Sequence, residues 1–140
     1  MSKSNIIEIK PGDITKPNLG DTIFLMGPNK LKWKDNIFSY LLSSGRDFTI
    51  FNSTVDRKYD FDYIVNWSHD CLEVSDKTII YISKDTTNPD LLLEVGMYIK
   101  DPRVILICEP GANGYRKIKI LCDRYNKPIY EDLESIFNLL

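Results

Sequence analysis

The chain has 140 residues, 43% of them hydrophobic and 27% charged, with a formal net charge of -2. That is long enough to bury a sizeable core and too apolar for a disordered chain, and it lacks the global positive charge that draws a protein to nucleic acid or an anionic membrane. Cys71, Cys108 and Cys122 are odd in number and widely spaced, which fits neither a disulfide framework nor a paired zinc knuckle, so reduced thiols and no metal site are expected. The N-terminus lacks the apolar core of a signal peptide and no run reaches bilayer-spanning length, so a cytoplasmic protein without membrane contact is expected.

Residues 1–20 hold Pro11, Gly12, Pro17 and Gly20 and read as an irregular arm with room for a short strand at Ile6 to Ile9. A single domain is expected over 21–140. Thr22-Ile23-Phe24-Leu25-Met26-Gly27 is a buried strand closed by the turn signal Gly27-Pro28-Asn29. Trp33, Ile37, Phe38, Leu41 and Leu42 recur at three- and four-residue intervals, the period of an amphipathic helix, and Gly45 can stop it. Asp47 to Phe51 then predicts a second strand, Tyr63 to Val74 a second helix, and Thr78-Ile79-Ile80-Tyr81-Ile82 a third strand, β-branched and buried on both faces. A helix from about Pro89, a strand at 103–108, a helix at 114–125, a short strand at 128–130 and a terminal helix at 131–140 complete the chain. Strands alternating with helices imply right-handed crossovers and an α/β fold. The expected architecture is three-layered and doubly wound, around a mostly parallel five-stranded sheet in the flavodoxin-like order 2-1-3-4-5.

The segment from Ser83 to Gly96 carries most of the functional information. Ser83 to Thr87 reads as a loop, Asn88 as an N-cap, Pro89 as the first helical residue, and Asp90 sits where the helix dipole favours negative charge. Glu94 falls in the second turn of an otherwise apolar helix, and its side chain leans back toward the helix N-terminus. In open α/β sheets the strand–loop–helix mouth at the carboxyl ends of the strands is where ligands bind. Taken alone, Glu94 reads as a solvated or ion-paired helix residue, because charges ordinarily occupy the wet face. His69 is the sole histidine and has no sequence partner that marks a catalytic triad. Arg116 to Lys119 reads as a wet helix face, and Gly27-Pro28-Asn29 lacks the glycine spacing of an ATP or dinucleotide fingerprint.

Several separated motifs resemble one family. These are Ile23-Phe24-Leu25-Met26-Gly27-Pro28 with Trp33, Phe51-Asn52, Ile64-Val65-Asn66-Trp67, Thr86 to Gly96, Glu109-Pro110-Gly111, Gly114-Tyr115-Arg116-Lys117 and Cys122-Asp123-Arg124-Tyr125. In this order they are similar to the nucleoside 2-deoxyribosyltransferase-like proteins, which include related nucleotide N-glycosidases. The resemblance implies cleavage or exchange of the bond between a nucleobase and C1′ of its sugar, without a cofactor, on a nucleoside or nucleotide, in a homodimer or larger homo-oligomer. It places Glu94 at the nucleophile position. The departing base then needs a proton or hydrogen bonds, for which Asp85 is the candidate because it follows the third strand, whereas Asp76 precedes it. Phe24, Gly27, Asn29, Trp33 and Asp90 are the candidate substrate-binding residues. Nucleic acid is not an expected partner.

The chain departs from its relatives at three points. Phe24 stands where they often carry a tyrosine, and Ser68 where they are often acidic. Ser53-Thr54-Val55-Asp56 stands where they often continue with proline and arginines. Loss of those arginines removes a bidentate phosphate contact and favours a nucleoside over a nucleotide. The alternative function is a non-catalytic nucleotide or nucleoside-derivative binding protein on the same fold; a third is an interaction module that uses the fold as scaffold.

Overall fold

The structure is a computed structural model that describes residues 4–28, 32–54, 58–86 and 89–140, the side chains of Pro89 and Asp90 excepted. Its strands are β1 (Ile6–Ile9), β2 (Asp21–Met26), β3 (Phe48–Asn52), β4 (Lys77–Ile82), β5 (Val104–Cys108) and β6 (Ile129–Tyr130). The helices α1 (Trp33–Leu42), α2 (Phe61–Val74), α3 (Pro89–Tyr98) and α4 (Tyr115–Arg124) alternate with β2 to β6, and a 3-10 helix (Glu134–Leu139) follows β6. The strand order is β1-β3-β2-β4-β5-β6, with parallel pairing between β1 and β3, β2 and β3, and β5 and β6. Counted from β2, this is the expected order 2-1-3-4-5. The sheet has six strands rather than five, because Ile6 to Ile9 pairs in register with Phe48 to Phe51. The terminal segment also differs from expectation: it forms a 3-10 helix starting at Glu134 instead of a helix from 131.

Contact density divides the chain into two compact units, one of residues 1–25 and 32–78, the other of 26–31 and 79–140. In the first, Ile23, Phe24, Leu25, Phe48, Ile50 and Phe51 are essentially inaccessible, as expected of strands covered on both faces. Helix α1 packs Trp33, Ile37 and Leu41 inward, and Trp67 of α2 meets the rings of Phe24 and Phe51 edge-on at 6.1 and 6.2 Å, a geometry the aromatic quadrupole favours. In the second unit the core consists of Ile79, Ile80, Ile82, Leu106, Ile107 and Ile136, together with the buried thiols Cys108 and Cys122.

The residues between β1 and β2 are tied to α2 and β3. Trp67 Nε1 donates to the Asp13 carbonyl at 3.2 Å, the Tyr63 hydroxyl accepts the Gly12 N–H at 2.8 Å, and the Tyr59 hydroxyl donates to the Pro11 carbonyl at 3.0 Å. Two glycines make this path possible. Gly12 (φ +103°) and Gly20 (φ +59°) occupy the left-handed half of backbone space, and a Cβ at Gly20 would lie 1.9 Å from the Asp47 carbonyl oxygen; only glycine meets both demands.

Candidate active site

Strand β4, buried at five of its six residues, ends at Ile82, and the chain turns beyond it. The turn is closed by side chains. Thr86 Oγ1 accepts the Ser83 N–H at 2.9 Å and shares a hydrogen bond with Ser83 Oγ at 3.0 Å, while Thr86 N–H donates to the Ser83 carbonyl at 3.0 Å. Short hydroxyl side chains bonding their own backbone favour turns of this kind. Asp85 sits exposed at the tip.

Glu109, the residue after β5, fastens this turn from the side. Its Oε1 accepts the Lys84 N–H at 3.0 Å, and its own N–H donates to the Ile82 carbonyl at 2.9 Å. The Tyr81 hydroxyl also bonds to Glu109; burial, followed by the nearby carboxylates Glu109, Glu134 and Asp132, raises its pKa. Each of these favours the neutral phenol.

Helix α3 buries Leu91 and Val95, and Ile99 just past its end is buried too, a stripe at four-residue spacing. Glu94 lies three residues beyond Leu91 and beside Val95, so its Cβ falls at the margin of that stripe, while Leu93 and Met97 face outward at 64% and 55% exposure. Glu94 is accordingly half-buried, and its Oε2 is sheltered from solvent. A carboxylate carried into a largely apolar helix face in this way has one oxygen turned from water and one element fixing its direction.

Among the other candidates, Gly27 is half-buried at the end of β2, and Asp90 falls in the first turn of α3. Asn29 and the N-cap candidate Asn88 lie outside the described residues. Phe24 is fully buried in β2 against Trp67, and Trp33 is 3% exposed at the head of α1. Gly27, Asp85, Asp90 and Glu94 belong to one compact unit, and Phe24 and Trp33 to the other. Among the described residues no group of histidines, cysteines and carboxylates is arranged to hold a metal ion.

A second polar cluster was not anticipated from the sequence. Lys34 is 6% exposed, and its ammonium donates to Asn52 Oδ1 at 3.0 Å, Ser53 Oγ at 3.2 Å and Thr54 Oγ1 at 2.9 Å. Asn52 Nδ2 in turn donates to Glu8 Oε2 at 3.0 Å, which links α1, the end of β3 and the edge strand β1. Burial lowers the Lys34 pKa to about 8, against an opposing pull from Glu8 and with a further lowering from Lys10. Its spacing held the signal: Lys34 is three residues before Ile37 and seven before Leu41, on the helix face that faces inward.

A family model described as nucleoside 2-deoxyribosyltransferase like matches residues 20–112. The chain belongs to that family. The match runs from just before β2 to just after β5 and takes in the Lys34 cluster from Asn52 to Thr54, the Ser83–Thr86 turn, Glu94 and Glu109. Glu8, which completes the Lys34 network, stands outside it. No curated protein matches the chain. Family membership gives the half-buried carboxylate of α3 a chemical context that its burial alone does not supply, since the same burial would serve a structural ion pair.

Proposed function

We propose that this protein cleaves or exchanges the N-glycosidic bond of 2′-deoxynucleosides, with Glu94 as nucleophile. The observation that carries the reading is the half-buried Glu94, one oxygen turned from solvent, within the family-matched span. In the first step a Glu94 carboxylate oxygen forms a bond to C1′ as the bond from C1′ to the base nitrogen breaks. The electron pair leaves with the base, which takes up a proton. Two displacements through a glycosyl ester follow the logic of retaining glycosidases. In the second step a free base nitrogen or a water oxygen attacks C1′, and its proton passes to the Asp85 carboxylate left by the first step. The bond from C1′ to Glu94 breaks to release the Glu94 carboxylate, so that transfer and hydrolysis share one intermediate. Asp85, presented at the tip of the Ser83–Thr86 turn, is the proposed proton donor to the leaving base. Gly27, Asn29 and Asp90 are the proposed substrate contacts, whereas Phe24 and Trp33 are buried in the core of the other unit and take no part in the proposal.

Incubation with deoxynucleosides, with and without a second free base, is expected to yield exchanged nucleoside or released base. Glu94→Gln is expected to abolish turnover, and Asp85→Asn to slow it by roughly 10²- to 10⁴-fold, the range for losing a general acid. Release of base at the wild-type rate by Glu94→Gln would overturn the nucleophile assignment. The buried phenyl ring of Phe24, which cannot donate a hydrogen bond, favours a second reading, a non-catalytic nucleotide or nucleoside-derivative binding protein. That reading predicts ligand-induced thermal stabilisation with no turnover of any deoxynucleoside.

A further inference from the structure

Strand β5 ends at Cys108, and a tight turn then carries the chain onward. Pro110 has no N–H to give a neighbouring strand, and Gly111 takes φ +93°, as the third residue of a type II turn does. The Ala112 N–H closes that turn on the Glu109 carbonyl at 3.1 Å, which fixes the backbone from which the Glu109 side chain starts. Glu109 then grips the neighbouring chain at two places. Its N–H takes the Ile82 carbonyl at 2.9 Å, and its Oε1 takes the Lys84 N–H at 3.0 Å, two residues further on. The carboxylate supplies there an acceptor that the backbone, turning at Pro110, does not. The hydroxyl of the buried Tyr81 bonds the same carboxylate, so the side chain is held from the strand as well as from the turn.

Lys84 and Asp85 are the two central residues of the turn that the Thr86 N–H closes on the Ser83 carbonyl. The bonds between Ser83 and Thr86 fix the shape of this turn, but a turn bonded only to itself can still swing as a unit about the end of its strand. The bond from Lys84 to Glu109 opposes that swing one residue before Asp85, and a bond to a carboxylate is stronger than one to a neutral acceptor. A general acid must come within hydrogen-bond reach of the atom it protonates. The direction of the turn therefore decides whether Asp85 can serve.

We propose that Glu109, steadied by Tyr81, is a positioning residue for the general acid Asp85. The inference rests on the glycoside-cleaving reading above and adds to it a residue that touches neither sugar nor base. Tyr81, Asp85, Glu94 and Glu109 belong to one compact unit. Glu109 acts on the proton that goes to the leaving base, and the attack of Glu94 on C1′ does not depend on it.

Single-turnover release of the leaving group from two substrates by the whole chain tests this. A 2′-deoxynucleoside loses its base with a proton, whereas a nitrophenyl 2-deoxyriboside loses a stable anion without one, before Asp85 is needed as a base. Glu109→Ala is expected to slow release from the nucleoside by about 10²-fold, the scale of a misplacement of about 1 Å, and to leave release of nitrophenolate little changed. Glu109→Gln, whose amide oxygen still accepts the Lys84 N–H, is expected to restore most of the nucleoside rate. Tyr81→Phe is expected to show the same selectivity with a smaller loss, and serves if Glu109→Ala fails to fold. In an Asp85→Asn background Glu109→Ala is expected to cost nothing further, because residues that act as a unit are not additive. Equal losses on both substrates, or a further loss in the Asp85→Asn background, sink the positioning role and spare the glycosidic reading. Release from neither substrate by the wild type sinks that reading, and the role of Glu109 with it.

Discussion

Lys34 is a stability liability. A lysine whose folded pKa is lowered holds its proton less tightly in the folded chain than in the unfolded one. Here the ordinary value is 10.5 and the folded value about 8. Below about pH 8 both states are protonated and the group adds no pH dependence. Between about 8 and 10.5 the unfolded chain holds a proton that the folded chain has shed, so the contribution of Lys34 to stability rises with pH across that window. At about 1.4 kcal/mol per pH unit the rise is on the order of 3 kcal/mol. Urea denaturation of the wild type and Lys34→Met at several pH values checks it: the difference in unfolding free energy should grow in favour of the wild type above pH 8, because the contributions of Lys127 and the thiols cancel. A difference that stays flat would show that Lys34 titrates normally. Composition and alternation could not anticipate this residue, since one lysine among 18 basic residues reads as solvated until the helix phase is counted against Ile37 and Leu41.

At the scale of elements, the strand–turn–helix from β4 to α3 is the part of the candidate site most legible in the sequence. A buried β-branched run, a hydroxyl-rich turn and an apolar helix with one carboxylate follow one another in the chain and are local in their causes. The structure adds the closure of the turn by Thr86 and its fastening by Glu109, a residue 25 positions away from Lys84. Thr86→Val keeps the shape but removes the oxygen that accepts the Ser83 N–H, leaving a buried donor with no acceptor, at a cost of about 1–3 kcal/mol. Faster hydrogen exchange at the Ser83 amide, with exchange at Ile80 little changed, is the expected signature; uniform acceleration along β4 would mean that the turn has no local stability of its own. In the sequence Glu109 counts only as part of the Glu109-Pro110-Gly111 motif, and its fastening role stays hidden there because its partners come from a neighbouring strand and the turn after it.

At the scale of the whole molecule, α3 exposes Leu93 and Met97 on either side of Gly96, where no atom lies within 4 Å of an added Cβ. Apolar side chains left in water each forgo about 1.5–3 kcal/mol of burial. We propose that α3 joins copies of the chain: light scattering is expected to report a homodimer or larger homo-oligomer, and Leu93→Glu to shift it to monomer; an unchanged assembly would remove α3 from the interface. Among the described residues no helix is long and apolar enough to cross a membrane.

The alternation of buried runs with amphipathic helices was sufficient, by itself, to determine the order of the strands from β2 to β6, because parallel strands joined by right-handed crossovers leave few arrangements. The motifs along that order were sufficient to indicate the family and to single out Glu94. What only the tertiary structure decided was the place of the sixth strand in the sheet and the partners of Lys34. Ile6 to Ile9 reads as a short strand in the sequence, but it joins the sheet only through pairing with Phe48 to Phe51. Lys34 becomes part of a polar cluster only when Glu8, Asn52, Ser53 and Thr54 reach it from other elements. Both depend on hydrogen bonds between residues distant in sequence, and neither periodicity nor propensity encodes such partners.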